Sequence, residues 1–269
     1  MSTRRNFIKT GAIVSAVGLT RASIAAQEQL HQKTYVLAPG SWHGGWSWSR
    51  VATQLRRAGH QVFTPSYTGL GDRAHLLSKD IDINTFVNDL INVIVSEELQ
   101  QVVLVGHSFG GAPLAGVADK IPNRIRHLVY LDGVILENGK SAFDAYLPAD
   151  RDARLKASQE ANGGLAVPTP EKLPPLWGLK EGSPDYEWVI RRLTPHPLNS
   201  YTSALNLKGE IGNKLPSTYI ECTAPIHPGL AASKKLAQSI GGWNWKTISA
   251  PHDAMITHPK LVSELLLEI

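Results

Sequence analysis

Val102-Val103-Leu104-Val105 runs without a polar residue into Gly106-His107-Ser108-Phe109-Gly110, and Gly111-Ala112-Pro113 then opens a small-residue stretch that ends at Lys120. A continuous apolar run of this kind predicts a strand buried on both faces, as in a parallel sheet covered by helices. The G-x-S-x-G that follows predicts a sharp strand-to-helix turn. Small residues must flank the serine, because strand and helix approach closely there. The strain of the turn would lift the Ser108 hydroxyl out of the sheet end, and the start of the helix would place partial positive charge beside it. Pro113 is tolerated in a first helical turn, whose amides lack helical partners anyway.

The rest of the chain keeps the same rhythm. Strands are expected at Thr34–Ala38, Gln61–Pro65, Gln101–Val105, Ile125–Leu131, around Tyr219-Ile220 and at Trp245–Ile248. Helices are expected at Trp48–Ala58, Thr85–Ser96, Ala112–Lys120 and Pro259–Ile269. Such alternation defines an α/β fold, a mostly parallel sheet with helices on both faces. From about residue 138 to 213 the rhythm breaks. That stretch is rich in proline, glycine and charge, with helix-like pieces at Asp150–Glu160 and Asp185–Leu193. Its length and its own helices predict a helical cap inserted over the active site rather than a loop. It has too few apolar residues for a core of its own.

The first 26 residues read as a targeting segment. Arg4-Arg5 precede Phe7 and Lys9, an apolar run spans Gly11 to Leu19, and Ala22-Ser23-Ile24-Ala25-Ala26 offers a small-residue cleavage site. The pattern fits a twin-arginine-type signal peptide, and a periplasmic or secreted mature protein is expected. The apolar run is too short to span a bilayer, so no stable membrane insertion is expected after cleavage. Residues 27–269 are then left for the folded domain. Of the 269 residues 42% are hydrophobic and 19% charged, as in an ordinary globular protein. The formal charge of +4 includes the leader, and no Lys/Arg run occurs later, which excludes nucleic acid as an expected partner. Cys222 is the sole cysteine, so no internal disulfide forms; it reads as a small buried residue on a strand.

A serine hydroxyl needs a positioned base. After the last strand comes Pro251-His252-Asp253-Ala254-Met255, and His252 is the expected base. His258 reads as a surface or capping residue. An oxyanion formed by attack on a carbonyl needs fixed donors. The backbone N–H groups of Phe109, next to the nucleophile, and of Ser41, in Pro39-Gly40-Ser41-Trp42-His43-Gly44-Gly45-Trp46, are the expected pair. Trp42, His43 and His107 lie beside these elements and are candidate substrate contacts; Trp42, Trp46 and Trp48 are read mainly as core. Trp177, Trp188 and Leu193 are candidates from the cap. Asp72-Arg73 reads as a surface turn and Pro195-His196-Pro197 as a rigid hinge. No metal-ligand spacing occurs.

These segments, together with Tyr67–Leu76, His127–Gly133, Thr218–Thr223 and His252–Met255, resemble the α/β-hydrolase superfamily in its bacterial carboxylesterase and pyrethroid-hydrolase-like branch. Plant methylesterases and hydroxynitrile lyases are more distant. The resemblance implies a cofactor-free esterase acting on a small-molecule carboxylic ester. Two departures stand out. Relatives carry His-Gly where this chain has Pro39-Gly40. The lyases carry a lysine where this chain has Asp253, which disfavours lyase chemistry. A ligand-binding homologue without catalysis is a third reading, opposed by the intact Ser/His pair.

The third member of the triad is the open question. Plant methylesterases place an aspartate soon after the strand that here reads Ser217–Thr223, but Ala224-Pro225-Ile226-His227-Pro228 comes next, and no carboxylate occurs between Glu221 and Asp253. Asp132, at the end of the preceding strand, keeps the chain order Ser, Asp, His and is the expected acid. Glu221 is its rival, placed inside a strand rather than past its end; Glu137 is a lesser one.

Overall fold

The buried run before Ser108 lies within a six-stranded sheet. The computed structural model describes residues 32–269, so the leader expected at 1–26 lies outside the described residues. Thr34–Ile269 forms one folded unit. In chain order its strands are β1 (Thr34–Ala38), β2 (Gln61–Phe63), β3 (Val102–His107), β4 (Ile125–Leu131), β5 (Ala166–Val167), β6 (His196–Pro197), β7 (Ser217–Cys222) and β8 (Asn244–Ile248). The sheet runs β2-β1-β3-β4-β7-β8, and every adjacent pair is parallel. All six residues of β3 are buried, as a strand covered on both faces requires.

Helices α1 (Ser49–Arg57), α2 (Ile83–Ser96) and α3 (Leu114–Lys120) carry the early crossovers. Then come α4 (Pro148–Asn162), α5 (Pro184–Ile190), α6 (Leu198–Thr202), α7 (Ala231–Ser239) and α8 (Pro259–Leu267). Helix α1 packs against α8, and α2 against α3 and α6. Right-handed crossovers put these two groups on opposite faces, because β1 to β2 steps one way across the sheet and β2 to β3 the other.

Boundaries differ from expectation where local chemistry decides them. Helix α2 starts at Ile83 because Asp82 caps it, its carboxylate accepting from the Thr85 N–H at 2.8 Å. Strand β2 stops before Pro65, which has no N–H for the ladder. The helix expected from Ala112 is preceded by a 3₁₀ turn over Ser108–Gly111 and becomes α-helical at Leu114. Helix α4 starts two residues earlier than expected, at Pro148, and ends where Gly163 takes the left-handed conformation, φ 63°.

The stretch 138–213 between β4 and β7 carries α4, α5, α6 and the antiparallel pair β5–β6. Phe143, Trp177, Tyr186, Val189 and Tyr201 from this stretch belong to the same hydrophobic cluster as the sheet. Pro195–Pro197, expected as a hinge, instead supplies β6, with His196 fully buried. Asp72-Arg73 lies in a short 3₁₀ helix, and Arg73 pairs with Asp89 at 2.8 Å rather than forming a plain surface turn.

Strand order places the site. The chain leaves β1 for β2 on one side and returns to β3 on the other, so the order reverses between β1 and β3. At such a point the two following loops part and leave a crevice beyond the strand ends. The loop after β1 and the turn after β3 are the two glycine-rich segments singled out by the sequence.

Candidate active site

The turn after β3 is as tight as its glycines imply. A Cβ on Gly106 would stand 2.4 Å from the Gly110 carbonyl oxygen, and one on Gly110 2.5 Å from that of Pro39. Ser108 itself sits at φ 51°, a left-handed conformation that non-glycine residues adopt only when surrounding structure imposes it. Across the crevice, a Cβ on Gly40 would lie 3.0 Å from the Ser108 Cβ. That close approach needs the glycine of Pro39-Gly40 and is indifferent to the residue before it.

Ser108, His252 and Asp132 form one hydrogen-bonded row. The His252 Nε2 lies 2.9 Å from Ser108 Oγ, and its Nδ1 2.6 Å from Asp132 Oδ2. Asp132 follows β4 directly, is fully buried and has φ 43°. Burial opposes its ionisation, but the hydrogen bond and charge of His252, with Lys234, outweigh burial and hold the carboxyl below the usual range. Glu221 does not reach His252; it meets Lys234 Nζ at 3.0 Å. The His252 backbone is tied at both ends. Its N–H donates to the Leu176 carbonyl at 3.0 Å, and its carbonyl accepts from His107 Nε2 at 2.9 Å. Burial lowers the His107 imidazole to about 3, so its ring is neutral at physiological pH.

The loop after β1 is fixed one peptide away from the expected donor. The Ser41–Trp42 peptide accepts from His43 Nδ1 at 2.7 Å through its carbonyl and donates to His196 Nδ1 at 3.3 Å through its N–H. Trp42 is held at φ 63°. The Ser41 hydroxyl accepts from the Tyr201 O–H at 2.7 Å, and that phenol accepts from Arg154 at 2.8 Å. His43 Nε2 in turn faces Asp253 Oδ2 at 3.4 Å, and His107 Nε2 lies 3.8 Å from the other oxygen. Burial opposes ionisation of Asp253, yet His43 and His107 hold its carboxyl below the usual range. Asp253 thus stands between His43 of the loop after β1 and His107 of the strand that carries the serine.

A pocket opens over Ser108. Trp42, His43 and His107 all line it, together with Gly40, Ser41 and His252. The rings of His43 and His107 are buried, with His43 Nδ1 bonded to the Ser41 carbonyl and His107 Nε2 to that of His252. Trp177 lines the pocket; Trp188 instead packs on Trp46, 5.0 Å between rings. The Phe109 side chain is turned away from the pocket, 4.7 Å from the rings of His196 and Tyr201. Sequence reading missed Tyr146, Asp150, Arg154 and His227, which also line the pocket. The Arg154 guanidinium lies over the faces of Trp42 (4.5 Å), Tyr146 (5.1 Å) and Tyr201 (5.2 Å). No local motif signals such a cage. His107, His252 and Asp253 bring possible metal-ligand atoms within 4.8 Å of one another. Both nitrogens of His252 already face Ser108 and Asp132, which leaves that ring no free donor for an ion.

Comparison with known proteins identifies the family and the fold. The model of the alpha/beta hydrolase family matches residues 35–265. A carbendazim-hydrolysing esterase of Nocardioides sp. (strain SG-4G) is 35% identical over 240 residues, 86% of this chain and 97% of that protein. The polyneuridine aldehyde esterase of Rauvolfia serpentina is 25% identical over 259 residues, 91% of this chain and 98% of that protein. Among solved structures, an extracellular alpha/beta-hydrolase from a Paenibacillus species superposes with a TM-score of 0.75 at 23% identity, covering 88% of this chain and 98% of that one. A family model that spans the sheet from its first strand into its last helix, and a relative aligned along nearly its whole length, place this chain in the alpha/beta hydrolase family.

Proposed function

We infer that this chain cleaves carboxylic esters through an acyl-enzyme formed on Ser108. The observation that carries the reading is the unbroken row from Asp132 through His252 to Ser108, at 2.6 and 2.9 Å, at the switch point of the sheet. In the reaction Ser108 Oγ attacks the ester carbonyl while His252 Nε2 takes its proton. The Ser41 and Phe109 amides hold the oxyanion. The tetrahedral intermediate expels the alcohol, which leaves with the proton from His252. Water, deprotonated by the same nitrogen, then attacks the acyl-enzyme and releases the acid. Asp132 keeps the imidazole in the tautomer whose Nε2 can accept.

The walls suggest the substrate. Trp42, Tyr146 and Trp177 present aromatic surface, and Arg154 offers guanidinium donors at the pocket. A compact ester with a flat aromatic part and a hydrogen-bond acceptor beyond the scissile carbonyl fits both features. Carbendazim, the compound for which the Nocardioides relative is named, is the first compound to try. The stretch 138–213, which supplies Tyr146, Arg154 and Trp177, acts as the cap. Asp253, paired with His43, stands where the lyases carry a lysine, which favours hydrolysis over lyase chemistry. Arg4-Arg5 and Ala25-Ala26 support export by the twin-arginine route to the periplasm or beyond.

The test is hydrolysis of 4-nitrophenyl esters and of carbendazim by the wild type and Ser108→Ala. Loss of turnover in the variant, with unchanged circular dichroism, is expected. Equal turnover in both proteins would remove the mechanism.

A further inference from the structure

The two carboxylates that compete for the role of acid in the sequence meet at one cation. Lys234 Nζ stands 3.5 Å from Asp132 Oδ1 and 3.0 Å from Glu221 Oε1. Lys234 is only 7% exposed, whereas its neighbour Lys235 is exposed. Helix α7 turns Ser233, Lys234 and Ala237 inward. The Ser233 hydroxyl pins the helix by accepting the Ile135 N–H at 3.0 Å, just beyond Asp132. A lysine stem buried in this way loses much of its hydration, a loss that two carboxylates offset.

We propose that Lys234 and Glu221 are positioning residues that set the charge His252 experiences through Asp132. The reading rests on the Ser108–His252–Asp132 mechanism above. With His252 neutral, the three side chains Asp132, Glu221 and Lys234 sum to one negative charge. When His252 takes the Ser108 proton, the cluster becomes neutral. Without Lys234 the two carboxylates would favour the proton on His252 before substrate arrives, and a smaller share of the base would be free. Without Glu221 the lysine would cancel Asp132, and the histidine cation would lose its support. The other groups near His252 do not replace this pair. His227, in the loop after β7, packs its ring 4.6 Å from that of His252 and is lowered by burial to about 4. His107 on β3 is likewise neutral, and Asp253 faces it and His43. Tyr219 gives its hydroxyl to the Gly133 carbonyl, and the Cys222 thiol is pushed up by burial.

The test is the acid limb of kcat/KM, followed with a 4-nitrophenyl ester, because that limb reports the base in the free enzyme. Removing one buried charge two contacts away moves such a limb by about one pH unit. Lys234→Met is expected to move it to higher pH, and Glu221→Gln to lower pH. The double variant restores one negative charge and is expected to return near the wild-type limb. Lys234→Arg, which keeps the charge, is expected to leave the limb within a few tenths of a unit. An NMR titration of the His252 ring in the Ser108→Ala background, with and without each change, gives the same shifts without turnover. It therefore separates this proposal from the hydrolytic reading. Shifts of the same sign in the two single variants, a Glu221→Gln limb that does not move, or a double variant that stays displaced would each overturn the proposal. If Lys234→Met does not fold, the Glu221→Gln shift with the Lys234→Arg control decides it.

Discussion

Replacing Asp132 by asparagine separates what the carboxylate does from the space it fills. One carboxylate oxygen accepts from His252 Nδ1 at 2.6 Å, and the other faces Lys234 Nζ at 3.5 Å. An asparagine at this position has one amide orientation that suits the lysine, with its oxygen toward Nζ. Its NH₂ then points at His252 Nδ1 and donates to it. The imidazole must shift its proton to Nε2, which faces Ser108 Oγ at 2.9 Å and can no longer accept. A wrong tautomer and a lost counter-charge together lower kcat by about 10⁴-fold, or about 5.5 kcal/mol of transition-state stabilisation. The assay is kcat on a 4-nitrophenyl ester near neutral pH, with circular dichroism to confirm folding. Glu221→Gln serves as the comparison and is expected to lose no more than about tenfold in kcat, far less than Asp132→Asn. A well-folded Asp132→Asn variant within tenfold of wild type, with Glu221→Gln inactive, would refute the assignment of the acid and the tautomer argument with it.

Other consequences are open to direct measurement. Gly106→Ala puts a Cβ 2.4 Å from the Gly110 carbonyl oxygen and is expected to lower stability by about 3 kcal/mol or more, read as a fall in the denaturant midpoint. The His107 ring titrates near 6.5 when unfolded and near about 3 in place, so between those values only the unfolded chain takes up the proton and stability falls as pH falls. By pH 5 the loss is about 2 kcal/mol, a drop in Tm of roughly 5 °C, and His107→Asn should flatten that slope. The depressed carboxyls of Asp132 and Asp253 extend the same trend into stronger acid. Arg154→Met is expected to raise KM by about tenfold for esters with a remote acceptor and much less for simple acetates, measured across a graded ester series. The mature protein recovered from a bacterial periplasm is expected to begin after Ala25 or Ala26, read by intact mass.

What the sequence disclosed is what short-range chemistry writes into it. The apolar run Val102–Val105 and the glycines around Ser108 specify strand, turn and buried sheet locally, so the elbow was legible. Chain order pointed to His252 as base, and the position of Asp132 past a strand end favoured it over Glu221 without settling between them, since strand ends on one edge of a parallel sheet converge. The contacts that shape the site were not legible. His43–Asp253, His196–Trp42 and Arg154–Tyr201 join residues from separate elements, and neither periodicity nor spacing marks such pairs. Glu221 looked like a competitor because its reach could not be read; the strand points it at Lys234, a residue with no motif around it. The stretch 138–213 revealed α4 and α5 but neither the five-residue α6 nor β5–β6, whose two-residue strands are too short to show alternation.

The most direct test is to find where a fluorophosphonate attaches. Peptide mass mapping is expected to place the adduct on Ser108 alone, with labelling absent in Ser108→Ala and slowed at least a hundredfold in His252→Gln. An adduct on any other residue, or undiminished labelling once the imidazole is gone, would contradict the account.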